Sequence, residues 1–167
     1  MTIEDTETSA IRKSVILVAA IGIGGLAAEL VIERHWGTPV RYVPWLALAA
    51  LGWAVLRLWR GPTPRQVRAT RVIAVAAIAA AALGVALHIN ENYTAGPLDQ
   101  TYSLIWDTMS EPQRWWAAFS KSLGPAPTFA PGALALIGLL VLVATQRHPA
   151  LSAASATSRL EGRLGDV

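Results

Sequence analysis

Four stretches of this chain stay apolar long enough to reach across a bilayer, and the polar residues gather between them. About 30 Å of hydrocarbon takes about 20 helical residues, fewer where polar ends reach back to water. The first stretch runs from Ser14 to about Trp36, with no charge before Glu29. The second runs from about Tyr42 to Leu58, with no charge before Arg57. The third runs from Val72 to about Asn90, with His88 as its one ionisable residue. The fourth lies between Lys121 and Arg147, and Pro131 suits a first helical turn there. The fourth helix is therefore expected over Pro131 to Gln146. Backbone groups in lipid must be satisfied within the segment, so each span is expected as a helix.

Arginine placement orients these spans. Arg12 and Lys13 precede the first; Arg57, Arg60, Arg65, Arg68 and Arg71 crowd the linker between the second and third; Arg147, Arg159 and Arg163 follow the fourth. The opposite side holds Arg34, Arg41, Arg114 and Lys121. Cytoplasmic loops carry the excess of basic residues. Both termini are thus expected in the cytoplasm, and the protein in the cell's inner (plasma) membrane. A cleaved signal peptide is the alternative for the first span, with Arg12 and Lys13 before it and Gly25 and Ala27 near a cleavage site. The apolar run continues through Leu30, Val31 and Ile32, which argues for a retained helix.

Composition narrows the class. Hydrophobic residues make up 53% of the 167 and charged residues 15%. Soluble domains carry about 25% charged residues, so too little charge is present to coat a soluble surface. There is no cysteine, which excludes disulfides, thiolate nucleophiles and cysteine-ligated clusters or zinc. The net charge of +3 fits topology-setting arginines, and no nucleic-acid module or basic stripe with interleaved aromatics is present. The Ala and Arg usage suggests a GC-rich bacterium. Residues 1–13 and 152–167 are expected as polar cytoplasmic tails around a transmembrane domain of residues 14–151.

The longest connection, Tyr93 to Pro127, falls on the outer side. Leu104, Ile105 and Met109, then Trp115, Trp116 and Phe119, approach helical spacing, with Pro112 between. Two short helices are expected in the outer interface, where Trp and Tyr keep their rings in lipid and their polar atoms in water. Asn92, Tyr93 and Thr94 form a glycosylation sequon, silent in most bacteria.

Ionisable groups inside a span are costly and mark functional hypotheses. Glu29 and Glu33 are four apart and share a face of the first span, after Gly25. His35 sits at its mouth. In the third span Ala76, Ala80, Gly84 and His88 are spaced by four, Asn92 continues the stripe, and Glu91 follows His88 by three. Ala20, Gly24 and Ala28 make a matching small-residue stripe in the first span. Such stripes let helices approach closely. Packed on each other they would bring the carboxylates to His88, Glu91 and Asn92.

Three readings follow. One is a structural polar network of Glu29, Glu33, His35, His88 and Asn92. The second is a divalent metal site, with Glu29, Glu33, His88 and Glu91 as ligands suited to Fe, Mn or Zn. The third is a proton or ion path through Glu29; spans two to four offer no matching mid-span group to continue it. His148 falls on the inner side and outside this cluster. No nucleophile and base pair, phosphate loop or HExxH motif is present. The small-residue faces could equally pair two copies or seat a membrane partner.

The run Glu29, Glu33, Arg34, His35, the step from His88 to Asn92, and Ala126 to Gly132 followed by apolar residues up to Arg147, His148 and Pro149 resemble an uncharacterised family of small bacterial four-span membrane proteins. The likeness covers the first span and the stretch from the third span through Leu151. It implies an all-α, four-helix integral membrane bundle with a short interfacial helical segment, and it implies no reaction. The combined expectation is a non-enzymatic accessory, assembly or structural membrane subunit, or alternatively a protein that binds or transports a metal or ion.

Overall fold

Long helices dominate the chain because, among the described residues, proline falls only in the first turns of helices or in the connections between them. The computed structural model describes residues 3–120, 123–124 and 126–152. Expectations resting on Lys121, Pro125, Arg159, Arg163 and the tail from Ala153 onward lie outside those residues. The described residues include five α-helices and three 3-10 turns, with residues 149–152 helical as well and no strand among them. The helices are α1 (Ile3–Ile32), α2 (Val43–Trp59), α3 (Pro64–Ala95), α4 (Glu111–Phe119) and α5 (Gly132–Ala144). Three segments, Glu7–Ile32, Pro39–Trp59 and Pro64–Leu98, are long and apolar enough to cross a membrane. Gly132–Ala144 is also apolar but shorter, about 20 Å at 1.5 Å per residue.

Two boundaries differ from expectation. The N-terminal segment is helical from Ile3, so residues 3–13 continue the helix of the first apolar stretch. No Gly or Pro interrupts residues 3–13. α3 is also longer than Val72 to Asn90. Its start is fixed by Thr63 and Gln66: the Gln66 backbone N–H donates to Thr63 Oγ1 (3.3 Å), and the Thr63 N–H to Gln66 Oε1 (2.9 Å). This reciprocal cap places Arg65, Arg68 and Arg71 on the helix itself.

α1 ends in a Schellman turn. His35 N–H reaches Leu30 O (2.8 Å) and Arg34 N–H reaches Val31 O (3.1 Å), with Arg34 at φ 48°. A non-glycine residue there costs about 1 kcal/mol. Trp45 Nε1 donates to the His35 carbonyl at 2.8 Å and ties α2 to this turn.

The chain divides into two units, residues 1–78 with 134–167, and residues 79–133. In the first, small residues set how close the helices come. A Cβ on Gly22 of α1 would lie 3.0 Å from Ile137 Cγ1 of α5, and one on Gly138 would lie 2.9 Å from Ile78 Cγ1 and 3.0 Å from Ala74 O of α3. The stripe proposed from sequence is placed differently. A Cβ on Gly24 or Gly25 would meet no atom within 4 Å, and Ala28 is exposed. Close approach in α1 thus falls on Gly22, two residues earlier than the stripe anticipates. Gly138→Ala is expected to destabilise the chain by about 1–3 kcal/mol, because a backbone carbonyl cannot rotate away as a side chain can. A thermal melt in detergent measures this.

The second unit has its own core. Trp106 (4% exposed), Ala117 and Leu123 are buried together, with Tyr93, Tyr102 and Met109 against them. Of the two short helices expected here, α4 forms, and residues 100–109 instead make turns with a 3-10 turn at Trp106–Thr108. Pro112 does not break a helix; it occupies the first turn of α4, where its missing N–H costs nothing. Trp115 and Trp116 are exposed, whereas Trp106 is a core residue.

Candidate functional site

Asn92 is the most completely used polar side chain among the described residues. It sits one turn past His88 on α3 and is fully buried. Its Nδ2 donates to Ala126 O (2.9 Å), Ala118 O (3.3 Å) and Thr128 Oγ1 (3.3 Å), and its Oδ1 accepts from the Ala126 N–H (2.9 Å). One carboxamide therefore closes α3, α4 and the segment before α5 onto one another. Gly124, at φ +85°, makes room for it: a Cβ there would lie 2.7 Å from Asn92 Cα. Such a φ also disfavours any residue but glycine.

His88 joins the same segment. Its Nδ1 lies 2.7 Å from Pro127 O. A carbonyl only accepts, so Nδ1 carries the proton and Nε2 keeps the lone pair in the neutral ring. Sequence spacing placed His88 and Asn92 on one stripe, and both grip residues 126–128. Glu91, on the neighbouring face, is exposed, and its carbonyl accepts from Thr94 Oγ1 (2.9 Å).

The remaining members of the expected cluster belong to the other unit. Glu29 on α1 and Glu33 in the turn just past its end are exposed, and His35 is half-buried beside them in the chain. The proposed ligand set of Glu29, Glu33, His88 and Glu91 is therefore split between the two units. Among the described residues no group of three or more His, Asp or Glu is arranged to hold a metal ion.

A second aromatic and acidic group occupies the outside of the second unit. Glu111 Oε1 accepts from Tyr93 Oη (2.9 Å) and Trp115 Nε1 (3.0 Å), and the two rings stack at 4.3 Å. Arg114 lies 3.9 Å from Glu111 and places its guanidinium over the Trp106 ring, 5.7 Å from its centre. Asp99 fastens the other end, accepting the Thr101 and Tyr102 N–H groups at Oδ1 and that of Gly124 at Oδ2. The Thr101 N–H chiefly holds its carboxyl below the usual value, against some burial, with Gly124 and Tyr102 adding.

The sequence reading missed a group at the other end of α5. Arg12 Nε donates to Ala144 O (3.1 Å), and Arg71 donates to Thr145 O (2.7 Å) and Thr145 Oγ1 (3.2 Å). Both arginines were used only as orientation signals. Here they cap the carbonyls at the end of α5, where a cation is favoured. His148, just past that end, is buried, and its Nδ1 accepts from the Ala150 N–H (3.3 Å). Burial, then the charges of Arg12 and Arg71, push its pKa below the usual 6.5. A base with a lowered pKa binds fewer protons folded than unfolded, so its stabilisation is complete above about pH 6.5 and is lost as pH falls further. The melting temperature is expected to decline below about pH 6.5, and His148→Gln to remove that part of the decline.

Set against protein-family models, curated proteins and solved structures, the chain matches none of them.

Proposed function

We propose that this chain is a non-enzymatic, multi-pass membrane protein, an accessory or assembly subunit of a bacterial inner membrane. The observation that carries this reading is how Asn92 and His88 are used. The Asn92 carboxamide and His88 Nδ1 are engaged by the backbone and Thr128 of their own unit. They hold polypeptide in place and leave no donor set assembled for a substrate. The exposed surface fits the same reading. Leu17, Val18 and Ile21 on α1 and Val72, Val75 and Leu83 on α3 are open, a pattern that lipid tolerates and water does not. The open faces at Gly24, Gly25 and Ala28 suit a second copy or a membrane partner.

In this reading α5 is a fourth crossing, and both termini lie on the arginine-rich cytoplasmic side. Because there is no native cysteine, single cysteines report topology cleanly. Ser9→Cys, Ser103→Cys and Ser152→Cys would each be treated with a membrane-impermeant maleimide in intact spheroplasts. Labelling of Ser103→Cys alone is the expected result. Labelling of Ser152→Cys from outside would remove the fourth crossing. Elemental analysis of the purified chain tests the non-catalytic part: stoichiometric Fe, Mn or Zn lost in both Glu29→Gln and His88→Ala would overturn it.

A further inference from the structure

We infer that Arg12 and Arg71, at the end of α5, form a binding site for a phosphate group, and that the group belongs to an anionic phospholipid of the adjoining leaflet. The inference rests on the membrane reading above. The two guanidiniums come from different helices, α1 and α3, and converge on three consecutive carbonyls, those of Ala144, Thr145 and Gln146. Arg12 uses Nε and Nη2 on these carbonyls, and Arg71 uses Nη2 on the Thr145 carbonyl and Nε on Thr145 Oγ1; a guanidinium carries five N–H donors, and neither Nη1 is bonded among the described residues. Charge is also unbalanced. The carbonyl end of a helix supplies about half a negative charge, set against two full positive ones. Among the described residues no carboxylate lies within ion-pair distance of Arg12 or Arg71; the one ion pair there is Arg114 with Glu111. Both arginines are half-buried, so water and salt screen them less than they would a surface charge.

A phosphate diester meets these needs. It is singly charged, offers oxygens to two Nη1 groups at once, and sits at the depth where a basic residue ends a span. His148, buried beside the pair, would feel the anion arrive. Arg65 and Arg68 on the first turns of α3 are exposed and make no such converging contact.

Native mass spectrometry of the full chain in detergent tests the site, with phosphatidylglycerol and phosphatidylcholine as competing probes. Binding is read with parallel vesicle competition at about 1 M salt, where screening within about 3 Å suppresses diffuse attraction. The expected result is a preference for phosphatidylglycerol of about tenfold or more, at about fivefold per guanidinium. Arg12→Gln and Arg71→Gln should each reduce it about fivefold, and Arg65→Gln should leave it unchanged. Both lipids carry the phosphate diester and differ in net charge, so equal binding of the two would overturn the assignment to an anionic phospholipid, and an equal loss in Arg65→Gln would overturn the site itself. Displacement of the lipid by inorganic phosphate alone would uphold the phosphate site but assign it to a soluble anion. Should Arg71→Gln fail to fold, the unaltered chain still decides: the His148 imidazole proton resonances should move with phosphatidylglycerol and not with phosphatidylcholine. A chain that floats with neither kind of vesicle would refute the membrane reading itself, an outcome distinct from floating with both equally.

Discussion

Asn92→Leu is expected to cost about 3–6 kcal/mol and to melt the second unit first. The substitution removes every partner of the Ala126 N–H and C=O that the carboxamide supplies, and loosens Ala118 O and Thr128 as well. Each buried polar group left without a partner costs about 1–3 kcal/mol. Gly124 closes against the Asn92 Cα and Cβ, so a branched side chain of the same size also has nowhere to go. Asn92→Asp makes the informative comparison. It keeps the acceptor for the Ala126 N–H and loses the three donations, so its cost should fall between that of the wild type and that of Asn92→Leu. Heat denaturation in detergent, followed by near-ultraviolet circular dichroism, reads both. Equal stability of all three proteins would show that the carboxamide is not what closes this unit.

Trp106→Ala is expected to cost about 3–5 kcal/mol, the range for truncating a buried large aromatic. Its ring meets Tyr93 edge-on at 5.4 Å, lies beneath the Arg114 guanidinium and packs over Gly96 so closely that a Cβ there would overlap it. The cavity would also release Arg114. Trp116→Ala, at a ring that is 67% exposed, should cost less than about 1 kcal/mol when the exposed face meets detergent. The contrast separates a core tryptophan from an interfacial one. Comparable losses in both would place Trp116 in the core as well.

The helices were legible because their signals are local. Long apolar runs, Pro131 near one start and the arginine clusters between runs are all read within a few residues of one another. The polar partners were legible only on a single helix. Four-residue spacing put His88 and Asn92 on one stripe of α3, and both hold residues 126–128. Spacing could not supply what crosses between helices. Gly24 looked like the contact residue, but a rotation of about 200° along α1 separates it from Gly22, and only packing selects between them. Arg12 and Arg71 were hidden for another reason. Arginine beside a span already has an explanation in topology, so its second use, on the carbonyls of α5, had no separate mark. The nearest signal was Thr145 followed by Gln146, a polar pair ending an apolar run. Trp106 carried no mark of its core position either, since it shares the long connection with the exposed Trp115 and Trp116.

The two glycine contacts of α5 fall on neighbouring positions. Ile137 faces the bare backbone of Gly22, and the bare backbone of Gly138 faces Ile78. At each place one large residue meets one absent side chain, and only their combined volume is constrained. Positions 22 and 137 should therefore change together among descendants of this sequence, as should 78 and 138, each pair trading bulk from one member to the other. Two such couplings on adjacent residues act like a pair of keyed teeth. They fix the rotation of α5 about its own axis, so that a slip of one residue would set bulk against bulk on one side and open a void on the other.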